Sequence, residues 1–159
     1  MSTTTNLKVL IIEDDTPKLT AIEDCLREEL GFTDLVSARS LSSALRVLQS
    51  KDFHLCIVDM SIPTFDFDAD KTGGEPQAKG GVDVLRYIQS EAPETKAIII
   101  TQYIEFPDGN GTASTLMQVS ESLLKKFKHN LIAVLFYASQ KSDWRSKLKY
   151  AIYGEFYEK

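Results

Sequence analysis

The sequence predicts an α/β fold, an open parallel sheet of five strands with helices on both faces. Five short apolar runs alternate with segments of helical period, and that alternation is the pattern of parallel strands joined by right-handed crossovers. The inner runs, Leu7 to Ile12 (LKVLII, apolar but for Lys8), Leu55 to Val58 (LCIV) and Ala97 to Ile100 (AIII), are otherwise apolar at consecutive positions, as strands buried on both faces require. The same runs stop on polar groups: Glu13, Asp14 and Asp15, then Asp59, then Thr101. In such sheets the carboxyl ends of the strands form the rim where ligands bind.

The elements follow in order. After the first strand, Asp15 or Thr16 can cap a helix and Pro17 suits its first turn. Leu19, Ile22, Cys25, Leu26 and Leu30 recur at helical spacing and Gly31 offers a stop. Residues 33–38 form a weaker second strand. Ser40 or Ser42 caps a helix carrying Leu41, Ala44, Leu45 and Leu48 on one face. The Asp59 strand comes next, followed from Thr64 to Gly81 by a stretch of Asp, Gly, Pro and Lys that is longer than the usual α/β connection and reads as an insertion. A helix from Val82 to Ser90, ended by Pro93, leads to the Thr101 strand. A second extended loop, Glu105 to Gly111, precedes a helix marked by Leu116, Val119, Leu123, Leu124 and Phe127. Leu131 to Tyr137 is the last strand, and a helix from about Asp143 closes the chain through Trp144, Leu148, Ala151, Ile152 and Phe156. We expect one domain over residues 1–159, with extended loops at about 64–81 and 105–112 and no effector domain.

Composition narrows the class. The chain has 159 residues, 43% of them hydrophobic and 26% charged, which is the balance of one folded domain and not of a disordered chain. No apolar run approaches the ~18 residues of a membrane span, and Met1 to Asn6 lacks the pattern of a signal peptide, so a cytoplasmic protein with no membrane contact is expected. Two cysteines, Cys25 and Cys56, fall on an apolar helix face and inside a strand, as buried thiols do in a reducing compartment. The net charge of −5 conceals an asymmetry: residues 1–124 carry ten Lys or Arg against twenty Asp or Glu, and residues 125–159 carry eight against three. Lys125, Lys126, Lys128, Arg145, Lys147 and Lys149 lie on amphipathic segments, and we read them as solvated helix faces in preference to a nucleic-acid track.

The strand ends bring acids at 13 and 14, Asp59 and Thr101 to one rim. Taken singly, each acid is explained as a helix cap or a solvated strand end; taken together they point to a site. Clustered carboxylates repel unless a hard cation neutralises them, and Mg²⁺ is commonly held by one or two carboxylates, waters and a phosphate oxygen. An Asp carboxylate is also a nucleophile competent to carry a phosphoryl group. Asp66, Asp68, Asp70 and Glu75 invite a calcium-loop reading, but the sixth position from Asp66 is Lys71, where such a loop needs Gly, and the twelfth is Gln77, where it needs Glu. His54 and His129 precede strands, with no catalytic partner in view. Tyr103 and Phe106 either gate the site or pack the second loop.

These motifs resemble the receiver domain of two-component response regulators: IIEDD at the first strand, VDMSIP with its Asp-x-x-x-Pro spacing at the third, and IIIT at the fourth. The resemblance covers residues 7–104 closely and the rest by element order. It implies a doubly wound, flavodoxin-like sheet of strand order 2-1-3-4-5. It also implies Asp59 as phosphoacceptor, Mg²⁺ held by Glu13, Asp14, Asp59 and the backbone carbonyl of Ser61, and Thr101 as the hydroxyl that turns toward the phosphoryl group. The implied partners are a histidine kinase or phosphotransfer protein upstream and a protein contacted downstream, with no nucleic acid and with a homodimer possible. Chemistry would be limited to self-phosphorylation and autodephosphorylation.

The chain departs from the family pattern in places that matter. Receivers carry a lysine at the end of the fifth strand, followed by Pro; Tyr137 and Ala138 stand there, and Lys141 is the nearest lysine in sequence. Gln102 follows the threonine where the family has a small residue. The alternative function is therefore a receiver-shaped interaction module that is not phosphorylated. A phosphatase of the haloacid dehalogenase class also uses a strand-end Asp, but it needs an acid two residues later, where this chain has Ser61.

Overall fold

The computed structural model describes residues 6–63, 76–77, 80–103, 105–107, 113–138 and 143–157. Its main sheet contains β1 (Val9–Ile12), β2 (Leu35–Ala38), β3 (Leu55–Val58), β6 (Lys96–Thr101) and β9 (Leu131–Phe136), in the order β2-β1-β3-β6-β9. All four pairings are parallel. Counting only these five strands, the order is 2-1-3-4-5, as expected.

Alternation along the strands builds two cores. Leu10, Ile12, Cys56, Val58, Ala97 and Ile99 face α2 (Leu41–Ser50), α3 (Gly80–Glu91) and α4 (Leu116–Lys126). Val9, Ile11, Leu55, Ile57, Ile98 and Ile100 face α1 (Thr16–Leu30) and α5 (Asp143–Phe156). β1 and β3 are buried along their whole length, which is why their sequences are apolar on both faces and why a charge first appears where they end. Each fully buried Ile or Leu contributes on the order of 1.5–3 kcal/mol relative to exposure.

Local signals set the helix ends. Asp15 is the N-cap of α1, its side chain accepting from the Lys18 N–H, with Pro17 in the first turn and Gly31 closing the helix at φ 72°. Ser40 caps α2 through a reciprocal pair with Ser43, and Thr115 caps α4 in the same way with Gln118.

Two departures from the sequence expectation appear beyond the rim. The first insertion is entered and left by a short antiparallel pair, β4 (Ile62–Pro63) with β5 (Pro76–Gln77); the segment between them lies outside the described residues. The stretch expected as a loop from Glu105 is instead a hairpin, β7 (Glu105–Pro107) with β8 (Ala113–Thr115), whose second strand runs directly into α4. Gly109 and Gly111, on which the loop expectation rested, lie outside the described residues. Cys25 and Cys56 are free and buried, and burial pushes the Cys25 thiol up to about 11.

Candidate active site

The rim is assembled by main-chain hydrogen bonds between neighbouring strand ends. Glu13 N–H donates to Ala38 O (2.9 Å) and Asp59 N–H donates to Ile12 O (3.2 Å), so both acids are held in register with β1. Gly81 N–H donates to Met60 O (2.9 Å), which seats the start of α3 against the turn after Asp59. Arg39 steadies the loop after β1, donating to Asp14 O (2.8 Å) and Thr16 Oγ1 (2.6 Å).

Glu13, Asp14 and Asp59 converge, each offering an oxygen within 4.8 Å of the others. Glu13 and Asp59 are 1% and 4% exposed, whereas Asp14 faces solvent. A cleft of about 320 Å³ opens over them, lined also by Asp15, Ser61, Pro63, Gln102 and Tyr103. Thr101 ends β6 but is fully buried, and its Oγ1 accepts a hydrogen bond from Tyr103 N–H (3.2 Å). The cleft wall on that side is formed by Gln102 and Tyr103, not by the threonine. Of the site residues expected from sequence, the structure thus gathers the three acids and Ser61 around the cleft and keeps the Thr101 hydroxyl engaged behind it.

Lys18 joins the site without lying at a strand end. It sits in the first turn of α1, is 0% exposed, and places its Nζ 2.7 Å from Glu13 Oε1 and 3.4 Å from Asp59 Oδ1. Its well-aligned hydrogen bond goes to Ile100 O at 2.8 Å, and it lies 5.8 Å from the centre of the Tyr137 ring, within cation–π range. The two carboxylate oxygens meet the ammonium as an ion pair rather than in hydrogen-bond alignment; both are buried and accept no aligned hydrogen bond. A signal for this was present: Lys18, Ile22 and Cys25 are spaced i, i+4, i+7, so the lysine lies on the apolar stripe of α1. A lysine in that stripe is either misplaced or paired.

Burial dominates the electrostatics of the acids. Desolvation pushes the Glu13 carboxyl up from 4.5 to about 7, with the Asp59 charge adding to the rise and Lys18 opposing it. Asp59 is likewise raised by burial and drawn back by Lys18. With the acids ionised and Lys18 charged, the three carboxylates and one ammonium leave two negative charges at the rim. Clustered, partly buried oxygens without aligned donors suit a hard divalent cation, so the residues present fit Mg²⁺.

Other charged groups lie elsewhere. His54 is at the opposite end of the sheet, its Nδ1 accepting from Lys8 N–H (2.9 Å). Lys125, Lys126, Lys128 and Lys147 are exposed, and Arg145 pairs with Glu29 (2.8 Å) and Glu28 (3.4 Å) on the neighbouring helix. Asp66, Asp68, Asp70, Lys141 and Phe106 have side chains outside the described residues.

A parallel sheet of this order, with acids at the ends of its first and third strands, is the frame of a signalling receiver. The family model for response regulator receiver domains matches residues 9–135, and the chain belongs to that family. Among curated relatives, it is 22% identical over 144 residues to the Detocs response regulatory protein DtcB of Enterobacter cloacae (strain JD6301), covering 89% of this chain and 95% of that one. It is 25% identical over 149 residues to the uncharacterized protein y4jR of Sinorhizobium fredii (strain NBRC 101917 / NGR234), covering 91% and 96%. Among solved structures, a CheY-like receiver domain protein from Methanospirillum hungatei JF-1 superposes with a TM-score of 0.60 at 17% identity, over 92% of this chain and 90% of that one. The RcsB response regulator of Salmonella typhimurium gives a TM-score of 0.62 at 16% identity; the match covers 95% of this chain but 61% of the RcsB chain. These structural likenesses concern the fold. Among the described residues, no helix is long and apolar enough to cross a membrane.

Proposed function

We propose that this receiver domain accepts a phosphoryl group on Asp59 in a Mg²⁺-dependent step and signals by protein contact. The observation that carries the proposal is the convergence of Glu13, Asp14 and Asp59 beneath an open cleft at the carboxyl end of the sheet.

In the step, an Asp59 carboxylate oxygen attacks the phosphorus of a phosphohistidine in the donor protein. The new O–P bond forms as the donor N–P bond breaks, and the imidazole nitrogen leaves with the electron pair. With a small donor such as acetyl phosphate, the O–P bond to acetate breaks instead and acetate leaves. Bound at the acids, Mg²⁺ supplies positive charge that offsets the developing charge on the phosphoryl oxygens. Glu13, Asp14, Asp59 and the Ser61 carbonyl would hold the ion. Burial keeps Asp59 out of bulk water on all sides but the cleft, so a donor must present its phosphoryl group from that direction. Thr101 would report the new state by exchanging its bond with Tyr103 N–H for one to the phosphoryl group, drawing the Gln102–Tyr103 wall with it.

The donor is a histidine kinase or phosphotransfer protein and the output is a protein partner; a homodimer is one form that output takes, and a cytoplasmic setting agrees with both. The second reading, an interaction module that takes no phosphoryl group, is favoured by one observation: Tyr137 stands where the fifth strand would deliver a cation.

One experiment separates them. Wild-type protein incubated with Mg²⁺ and acetyl phosphate should gain phosphoryl mass in intact-protein mass spectrometry, and Asp59→Asn should gain none. Equal uptake by both proteins removes Asp59 as the acceptor, and no uptake by wild type beside a competent receiver leaves the interaction module.

A further inference from the structure

The rim needs a second positive charge. With all three acids ionised, two negative charges remain after Lys18 is counted, so a divalent cation brings the site to neutrality. Converting the Asp59 carboxylate to an acyl phosphate then adds one more negative charge inside a largely buried pocket. Were Lys18 absent, the excess would be two charges, with two acids already deprived of solvent. Uncompensated charges in such a place are costly. Among the described residues, Lys18 is the cation at ion-pair distance from Glu13 and Asp59, and the end of β9 offers a tyrosine.

We propose that Lys18 is the fixed cation of the phosphoryl-accepting site, delivered from beneath the acids by the first turn of α1 in place of a cation at the end of the last strand. The inference rests on the phosphoacceptor reading given above and adds the residue that makes it workable. Lys18 does not line the cleft. It holds Asp59 Oδ1 from the interior at 3.4 Å, an atom that is itself buried, so the other carboxylate oxygen is the one presented to the cleft and to an incoming phosphorus. It is therefore a positioning residue, and after transfer its charge stays beside the acyl oxygen it already holds. Three fixtures keep it there: the Glu13 carboxylate, the Ile100 carbonyl and the Tyr137 ring. The Ile100 bond lies one residue before Thr101, which ties the cation to the strand end that carries the switch hydroxyl. The tyrosine thus stands beside the ammonium instead of supplying one.

The test moves the charge. Lys18→Met keeps the length of the side chain and removes the ammonium; with Mg²⁺ and acetyl phosphate its phosphoryl uptake should fall at least about tenfold. Lys18→Met/Tyr137→Lys, which returns an ammonium from the strand end, should recover most of that loss. A purely structural lysine predicts no such recovery. Mg²⁺ affinity, read by calorimetry without any phosphodonor, should rise in Lys18→Met because a competing positive charge has gone. Uptake by folded Lys18→Met at the wild-type rate, failure of the folded double variant to recover, or an unchanged or weakened Mg²⁺ affinity overturns the proposal. If Lys18→Met does not fold by circular dichroism, the wild type decides: with ¹⁵N-labelled lysine, the Lys18 Nζ resonance must shift on phosphoryl uptake, and a resonance that stays put overturns the proposal. Absence of uptake by wild type sinks the phosphoacceptor reading together with this one, whereas uptake by wild type and Lys18→Met alike sinks this one alone.

Discussion

Gly81 is the position where a single methyl group should disturb the site most. It lies in the first turn of α3, and a Cβ built there would meet Asp59 O at 2.5 Å and Met60 Cα at 3.0 Å. Ordinary contact begins near 3.4 Å, so the helix start must retreat by about 0.9 Å. The neighbours are backbone atoms, which cannot rotate away. A retreat of that size stretches the Gly81 N–H bond to Met60 O, now 2.9 Å, beyond hydrogen-bonding range. Overpacking at roughly 1–3 kcal/mol and a lost hydrogen bond at about 1 kcal/mol give a destabilisation of about 2–4 kcal/mol for Gly81→Ala. For a domain of 159 residues this lowers the melting temperature by roughly 5–15 °C. Gly154→Ala is the matched control: it also sits in a helix, nothing lies within 4 Å of its Cβ, and it should gain about 0.5 kcal/mol from helix propensity. Thermal melts of the three proteins at one pH make the comparison. A Gly81→Ala midpoint within about a degree of wild type would show that α3 does not press on the Asp59 turn as described.

Two more predictions concern charge and buried hydrogen bonding. Glu13 carries a proton up to about pH 7 in the metal-free fold but only to about 4.5 when unfolded, so between those values the folded state binds more protons and stability falls as pH rises. The loss between pH 5 and pH 8 is roughly 2–3 kcal/mol; urea titrations of metal-free protein at those two pH values should show it, Glu13→Gln should reduce it, and equal stabilities in wild type would contradict it. Asn130 is buried and its amide donates to Pro93 O and Thr95 O, both at 2.9 Å, so Asn130→Ala should cost about 2–4 kcal/mol in a denaturant titration by leaving two carbonyls without a donor; a cost under about 0.5 kcal/mol would mean water replaces the amide.

How much of this was legible in the sequence depended on whether a signal was local. The strands announced themselves because a parallel sheet buries both faces, and β1 and β3 could hardly be written otherwise than VLII and LCIV. Glu13 and Asp59 were legible because each is the first charge after such a run, and Asp14 because it directly follows Glu13. Ser40 as the cap of α2, and not Ser42, required the reciprocal bond with Ser43, which spacing alone leaves open. The β7–β8 hairpin was hidden because its strands are three residues each and its connection is rich in glycine. Lys18 was missed for a different reason. The receiver pattern places its cation at the end of the last strand, where this chain has Tyr137, whereas the pairing that gives Lys18 its meaning spans four elements, joining α1 to Glu13 after β1, Asp59 after β3 and Ile100 in β6. Composition along one helix shows the oddity of a lysine on an apolar stripe, and only the assembled sheet shows what it answers.

The Tyr137 ring touches two things at once. It lies 5.8 Å from the Lys18 ammonium and packs against Trp144, with ring centroids 5.2 Å apart and planes tilted by 51°. Trp144 is the chain's single tryptophan, and it is 4% exposed. Any event that changes the charge around Lys18 therefore alters the field on an indole just beyond the Tyr137 ring, with no competing indole to dilute the signal. The protein contains its own optical gauge of the acid cluster, and its emission can be followed in unlabelled wild-type material as metal or phosphodonor is added.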